Sequence, residues 1–403
     1  MNKLKIILGA CGIHICVGSV YAWSVLCNPI IQRTGWGLSE VTFAFSLAIL
    51  FLGFSAGFLG NKVQRWGASN SALISCVCFN TGLLGSALAI SLQNLYLLYF
   101  FYGCIGGIGL GVGYIAPVST LLKAFPRAKG FAGGCAVMSF GFAAMIAGPL
   151  MERLINHIGL IYMFIALAAI YSSIMIASSF LLRANPQLKE RDKFDTIYGE
   201  KSTFMPIAGK LGKTADEAIH TTDFWLLWFV FFINISCGIA LLSIAAPMGQ
   251  SIGMNAVEAA GMVGLFGMLN GAGRIFYASV SDYIGRGITY IAFFIIEVIS
   301  FYLLAHTSNI LFFQSIVLVI VTCYGGGFSC MPSYLSDIFG LKYLSAIHGR
   351  ILTAWGLAGI FGPLMLTILY ERFGTYELAL EIFSGLFILN LLCAIVLYKR
   401  NRV

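Results

Sequence analysis

Twelve stretches of about 20 mostly apolar residues, separated by short polar or Gly/Pro breaks, decide what this 403-residue chain can fold into. They lie near 4–27, 38–61, 69–92, 95–123, 130–152, 158–182, 223–250, 257–281, 288–306, 308–336, 346–369 and 377–398. Inside a bilayer no water satisfies the backbone, so apolar runs of this length must close their hydrogen bonds internally, as helices. The alternation that marks lipid-facing barrel strands is missing from them. With 59% hydrophobic and 10% charged residues, the chain is too apolar for a water-soluble domain. The expected fold class is therefore an all-α membrane protein with twelve transmembrane helices. The first run follows Lys3 and Lys5 as a signal peptide would, but it is long and no small-residue cleavage site follows it, so it counts as helix one.

Counting basic residues on alternate sides orients the chain. Twenty of the 24 Lys and Arg residues fall on the side that holds both termini, three fall on the other (Arg33, Arg153, Arg372), and Arg274 lies within a span. By the positive-inside rule both termini are expected to be cytoplasmic. The net charge of +8 then needs no nucleic-acid partner, because a basic cytoplasmic face meets anionic lipid.

The chain also repeats itself. Pro29, Gln32, Gly35, Glu40 and Gly67 recur 218 positions later as Pro247, Gln250, Gly253, Glu258 and Gly285. Further on the offset becomes 214, matching Phe125 to Phe339 and Gly148-Pro149-Leu150 to Gly362-Pro363-Leu364. Two six-helix halves, residues 1–183 and 223–403, are expected to be related by pseudo-symmetry. Residues 184–222, the one long polar segment, form the expected cytoplasmic linker, with a short surface helix around Thr214 to His220. Parallel repeats of this kind place a substrate site at their interface near the membrane midplane.

Arg274 is the strongest functional signal. It sits in an apolar segment with no other charge between Glu258 and Asp282. Eight residues of helix put it about 12 Å from Asp282, too deep for easy snorkelling to the headgroups. An arginine at that depth costs about 2.5–3.5 kcal/mol on insertion scales, so it is expected to face a cavity or a ligand. Asn270, four residues earlier, shares its helix face. The eleven cysteines lie mostly within spans and read as small hydrophobes, and no metal site is expected. The glycine run from Gly106 to Gly113 lacks the strand and Lys-Ser pair of a nucleotide loop, and suits close helix packing. No nucleophile and base can be placed together, so no enzyme activity and no cofactor are expected.

Two polar breaks carry a family resemblance: Gly60-Asn61-Lys62-Val63-Gln64-Arg65-Trp66-Gly67 and Ala278-Ser279-Val280-Ser281-Asp282-Tyr283-Ile284-Gly285-Arg286. A small residue, an acid, a turn glycine and a basic residue on this cytoplasmic loop resemble the signature loop of the major facilitator superfamily. The resemblance implies that superfamily's two-bundle fold, with Gln64, Arg65, Asp282 and Arg286 as the gating loop. The first copy departs from the pattern, since Gln64 stands where the acid belongs. Ser19-Val20-Tyr21-Ala22-Trp23-Ser24, the stretch from Gly109 to Thr120, Asp223-Phe224-Trp225-Leu226-Leu227-Trp228 and the stretch from Pro332 to Gly340 resemble the oxalate/formate antiporter family. Relatives of that family include monocarboxylate transporters. The resemblance implies that Arg274 matches the arginine that binds a carboxylate. It also implies a second cation, a lysine, at the position where this chain has Trp355. The pairing of Asn270 with Arg274 looks instead like that of bacterial lactate-type transporters.

The expected function is transport of small monocarboxylate anions of the lactate, pyruvate or formate type by alternating access, proton-coupled or by exchange, with Arg274 binding the carboxylate. One guanidinium pairs with one carboxylate, and a second buried carboxylate would be left without a partner. The alternatives are an oxalate/formate-type dicarboxylate exchanger, a non-transporting metabolite sensor and a multidrug exporter. His14, Gly18 and Tyr21 share a face of helix one, which makes His14 and Tyr21 cavity candidates; a structural histidine bonded to a carbonyl is the other reading of His14. Tyr114 and Tyr324 adjoin glycines and are expected as hydrogen-bonding walls, with Phe328 and Trp355 as apolar walls. Arg274 cannot release its proton, so coupling would use His14, Glu297 or Asp282. The expected partners are a small carboxylate, protons and the bilayer. The carrier is expected to be a multi-pass monomer of the plasma membrane, in a bacterium the inner membrane.

Overall fold

The computed structural model describes residues 3–124, 129–183, 213–340 and 343–401. Among these, every regular element is helical. In chain order they are α1 (Lys3–Gly18), a 3-10 turn (Ser19–Ala22), α2 (Ser24–Thr34), α3 (Leu38–Ser91), α4 (Leu95–Leu98) running into a π-helical stretch (Tyr99–Gly106), α5 (Gly107–Ala124), α6 (Lys129–Ile158) and α7 (Leu160–Leu181). Beyond residue 212 come α8 (Ala215–Ile219), α9 (Thr222–Ser251), α10 (Ala256–Ile284), α11 (Arg286–Ala305), α12 (Ile310–Phe339), α13 (Leu344–Phe373) and α14 (Glu377–Arg400).

Among the described residues, eleven spans are long and apolar enough to cross a membrane. The twelfth, α10, is long enough at 29 residues but less apolar, because it carries Glu258, Asn270, Arg274 and five glycines. One face of it packs closely and buries Asn270 and Arg274, while Leu265, Ile275 and Phe276 stay exposed on the other.

Several expected boundaries move, each for a local reason. The first span is broken, not continuous: Ser19 Oγ bonds back to the Cys16 carbonyl at 2.7 Å, and the chain passes through a 3-10 turn that presents Tyr21 inward. The expected loop from Gly60 to Gly67 is helical almost throughout, and α3 breaks only at Gly67 (φ 77°, ψ 168°). The second copy behaves alike, with helix to Ile284 and a break at Gly285 (φ 87°, ψ 147°). Only glycine adopts such angles without strain, so one residue does the work expected of a loop. The glycines matched by the repeat share this property: Gly35 and Gly253 also have positive φ. Of the expected linker, residues 184–212 lie outside the described residues. The surface helix is present as α8, capped by Thr214, whose hydroxyl accepts from the Glu217 N–H at 3.2 Å. Asp216 pairs with Arg350 of α13.

The helices before residue 183 pack chiefly on one another, as do those after residue 222, and two glycine-lined seams join the sets. Along α3 and α13, a Cβ on Gly53 would come within 2.5 Å of the Gly356 nitrogen. Along α6 and α10, one on Gly267 would meet the Met145 nitrogen at 2.5 Å, and one on Gly141 the Gly271 nitrogen at 2.9 Å. Backbones this close leave no room for side chains, so the seams are small-residue helix contacts. A third crossing joins α2 to α9. Pro247 frees the Ser243 carbonyl four residues earlier and α9 kinks at Ile244; the Cys27 thiol approaches that carbonyl at 3.7 Å, and Asn28 bonds Gln250.

Candidate functional site

Arg274 is fully buried where α6 and α10 meet. Gly141 and Gly271 let the two backbones approach, and the guanidinium thereby reaches across the seam: Nη1 donates to the Val137 carbonyl of α6 at 2.6 Å. Nε donates to Asn270 Oδ1 at 3.2 Å, the bond expected between helix neighbours four apart. Its Cζ lies 5.1 Å from the centre of the Phe328 ring, a cation–π distance. Nη2 has no hydrogen-bond partner among the described residues.

Around this cation the helices assemble an aromatic enclosure. The Tyr21 hydroxyl, beside the guanidinium, bonds the Tyr324 hydroxyl at 2.8 Å across the two halves. Tyr114 stacks on His14 with ring centres 5.5 Å apart and meets Trp355 edge-on at 5.2 Å. Trp355 in turn meets Phe328 at 4.7 Å, and Tyr324 meets Phe328 at 5.3 Å. The structure thus brings Arg274, Asn270, Tyr21, Tyr114, Tyr324, Phe328, Trp355 and His14 into one group, each no more than 2% exposed. His14 lies beside these rings, and its Nε2 is 3.1 Å from the Tyr114 carbonyl oxygen.

Two contributors escaped the sequence reading. Phe140 touches His14, Tyr21, Tyr114 and Trp355, at 5.0–6.0 Å between ring centres. An aromatic beside a glycine, the signal used for Tyr114 and Tyr324, also marks Phe140-Gly141. The Val137 carbonyl has no such signal, because every residue has one.

The remaining expected residues lie elsewhere. Asp282 pairs with Arg286 at the Gly285 break, and Arg286 Nε lies 3.6 Å from Asp337 Oδ2 of α12. This latch closes within the second half. Gln64 and Arg65 are in helix, and their side chains lie outside the described residues. Glu297 is buried on α11. An apolar groove of about 540 Å³, lined by Met138, Phe142, Ile275, Phe276 and Tyr283 among others, opens on the outer surface of the α6–α10 seam and is separate from the enclosure.

Three buried donors in this group have no partner among the described residues: Arg274 Nη2, Asn270 Nδ2 and Trp355 Nε1. Leaving a buried donor unmade costs about 1–3 kcal/mol, more when it is charged, so an acceptor belongs here. A cation with neighbouring N–H donors and no acidic neighbour suits an anion.

The family model for the Major Facilitator Superfamily matches residues 8–281 and again residues 227–403. The chain belongs to this superfamily. It is a multi-pass membrane transporter and not an enzyme. It is 26% identical over 360 residues to the oxalate:formate antiporter of Oxalobacter formigenes, covering 89% of this chain and 82% of that one. It is 22% identical over 440 residues to apicoplast pyruvate carrier 1 of Toxoplasma gondii, covering 86% and 79%. Its fold matches the xylose transporter XylE of E. coli in a partially occluded inward-open conformation, with TM-score 0.74, 14% identity and coverage of 100% and 98%.

Proposed function

We propose that this superfamily member carries small monocarboxylate anions of the lactate, pyruvate or formate type across the plasma membrane, in a bacterium the inner membrane, and that Arg274 binds the carboxylate. The supporting observation is the unpaired Nη2 of Arg274 beside the free donors of Asn270 and Trp355. A carboxylate would accept from them while the tyrosine, phenylalanine and tryptophan rings cover a short carbon chain and exclude water. Arg274 is the only fully buried Lys or Arg among the described residues. Trp355 stands where the oxalate exchangers are expected to carry a second cation, so a dicarboxylate would leave one charge buried without a partner. Sequence similarity to a pyruvate carrier supports the same reading.

In this scheme residues 1–183 and 223–403 rock against each other along the glycine seams, tethered by residues 184–222, with both termini in the cytoplasm. A ligand shifts such an equilibrium only by binding one state better than another. Pairing of a carboxylate with Arg274 strengthens as water leaves, because the Coulomb energy grows as the local dielectric falls, and so it favours the occluded carrier. One permanent cation suffices for exchange of one anion for another; net uptake with a proton needs a second, titrating group.

The test is uptake of labelled lactate, pyruvate, formate and oxalate into proteoliposomes by the native protein and Arg274→Ala. Monocarboxylate uptake that disappears in the variant is the expected result. Preference for oxalate would move the assignment to a dicarboxylate exchanger, as the oxalate:formate antiporter relative allows. Full activity without Arg274 would end it.

A further inference from the structure

Gly37 and Asn255 occupy corresponding positions of the repeat, 218 residues apart, and each stands at the start of a long helix on the membrane face away from the chain's termini. Asn255 caps α10 from within: its Oδ1 accepts from the Glu258 N–H, and its own N–H donates to Glu258 Oε2, both at 2.9 Å. The first turn of a helix leaves N–H groups without helical partners, and an Asn side chain at this position satisfies one of them. Gly37 keeps one arm of the arrangement, donating to Glu40 Oε2 at 2.8 Å, but it has no side chain to supply the other.

The acceptor comes instead from the other half. Glu371 stands in the last turn of α13, and its Oε1 accepts from the Ser39 N–H of α3 at 2.9 Å. A carboxylate at that place meets the negative end of its own helix, which disfavours it, and gains at the positive end of α3. The contact ends the α3–α13 seam. The two helices run antiparallel and touch in turn at Gly57 and Gly349, at Gly53 and Gly356, at Ile49 and Gly359, and finally at Ser39 and Glu371. A Cβ on Gly37 would lie 3.6 Å from Glu371 Oε1, in ordinary contact, and the φ of −71° there suits any residue. A side chain therefore fits at position 37 and would reach the same N–H groups.

The crossing of α2 and α9 lies toward the same face, because both helices end there. Asn28 of α2 bonds Gln250 of α9, and Cys27 Sγ approaches the Ser243 carbonyl oxygen at 3.7 Å. Cys27 is fully buried between the halves. Parting of the halves on this face separates Glu371 from Ser39 and uncovers Cys27.

We propose that Glu371, by capping α3 across the two halves, is a clasp that holds this carrier shut on the face away from its termini, the outer face in the orientation proposed above. The proposal rests on the reading of the halves as bundles that rock against each other. Opening on this face breaks one charge-assisted bond and returns both groups to water, so the clasp shifts the balance of states by about threefold to tenfold and does not lock it. The dependence on the other half follows from Gly37. With an Asn there, as at position 255, α3 needs no acceptor from α13.

The experiment uses the full chain in lipid nanodiscs, as native protein and as Glu371→Ala, Glu371→Gln and Gly37→Asn. A water-soluble maleimide is added, and the rate of modification at Cys27 is read by peptide mass spectrometry. Glu371→Ala and Gly37→Asn are expected to label about threefold to tenfold faster than the native protein, with Glu371→Gln between, because its amide oxygen still accepts but carries no charge. Gly37→Asn gives α3 a cap of its own, so faster labelling there reads release of the clasp and not fraying of the helix, and it decides the matter if Glu371→Ala does not fold. The native rate in either variant overturns the proposal. So does a Cys27 that labels in none of the proteins, since this face then does not open. Labelling needs no substrate. Absence of lactate, pyruvate and formate counterflow by the native protein in proteoliposomes therefore overturns the carboxylate reading and leaves the clasp to be judged at Cys27.

Discussion

The two halves share their joints but not their chemistry. Gly35 and Gly67 in the first half correspond to Gly253 and Gly285 in the second, and all four have positive φ. Yet Arg274, Asn270 and Glu297 all belong to the second half, while the first supplies rings (Tyr21, Tyr114, Phe140, His14) and the Val137 carbonyl. Backbone joints must match for two bundles to move against each other. A single fixed charge need exist only once, and a second cation facing Arg274 would repel it across a medium of low dielectric. On the proposed reading, the mechanics lie on both sides and the binding chemistry on one.

Replacing Arg274 with lysine tests whether that one-sided chemistry depends on charge alone. Lys keeps the charge but loses the fork that bonds Asn270 and Val137 while presenting Nη2. A loss of about 1.5–3 kcal/mol, or roughly 10–100-fold in apparent lactate affinity, is expected from competition assays in proteoliposomes. Adding a cation opposite Arg274 sharpens the comparison further. Trp355→Lys should raise the preference for oxalate over lactate by roughly tenfold, measured as oxalate inhibition of labelled lactate uptake.

The shared joints make a prediction of equal effects. At both Gly67 and Gly285 an added Cβ meets nothing within 4 Å, so Gly67→Ala and Gly285→Ala would pay for backbone strain alone. Each should cost about 1–3 kcal/mol, seen as similar falls in thermal unfolding temperature in detergent. Unequal falls would show that the breaks are not equivalent.

The smallest effect belongs to the linker helix α8, which has no counterpart in the repeat. The Thr214 backbone N–H holds the Glu217 carboxyl below the usual carboxylate range. A carboxylate whose folded value is depressed stabilises fully above its unfolded value and loses that contribution as pH falls through the folded one. Protection of the α8 amides from hydrogen exchange should therefore fall on acidification below the usual glutamate range. Thr214→Ala should weaken the cap by about 1 kcal/mol without altering transport.

Much of this was legible in the sequence because it was written in side chains. Arg274 and its aromatic neighbours stood out as a charge deep in an apolar run and as rings beside glycines. The spans stood out by length, and the repeat by its punctuating Gly and Pro. The unread parts are backbone events. Hydropathy cannot tell a loop from a helix broken at one glycine, as at Gly67, nor detect the π-helical stretch from Tyr99 to Gly106. The acceptor at Val137 is a carbonyl without a residue signature. The free Nδ2 of Asn270 depends on which amide atom faces the guanidinium.

The bond from Arg274 to the Val137 carbonyl also bears on how the cargo leaves. A guanidinium left wholly bare in this enclosure would hold a carboxylate too tightly to let it go, and one fully occupied by its own protein would hold none. Arg274 gives Nη1 to the opposite half and Nε to its own helix, and keeps Nη2 in reserve. In the proposed carrier, parting of the halves along the α6–α10 seam would withdraw the Val137 carbonyl and let water take its place at the guanidinium. Opening would thus hydrate the cation just as the cargo must depart, setting grip and release by the same movement.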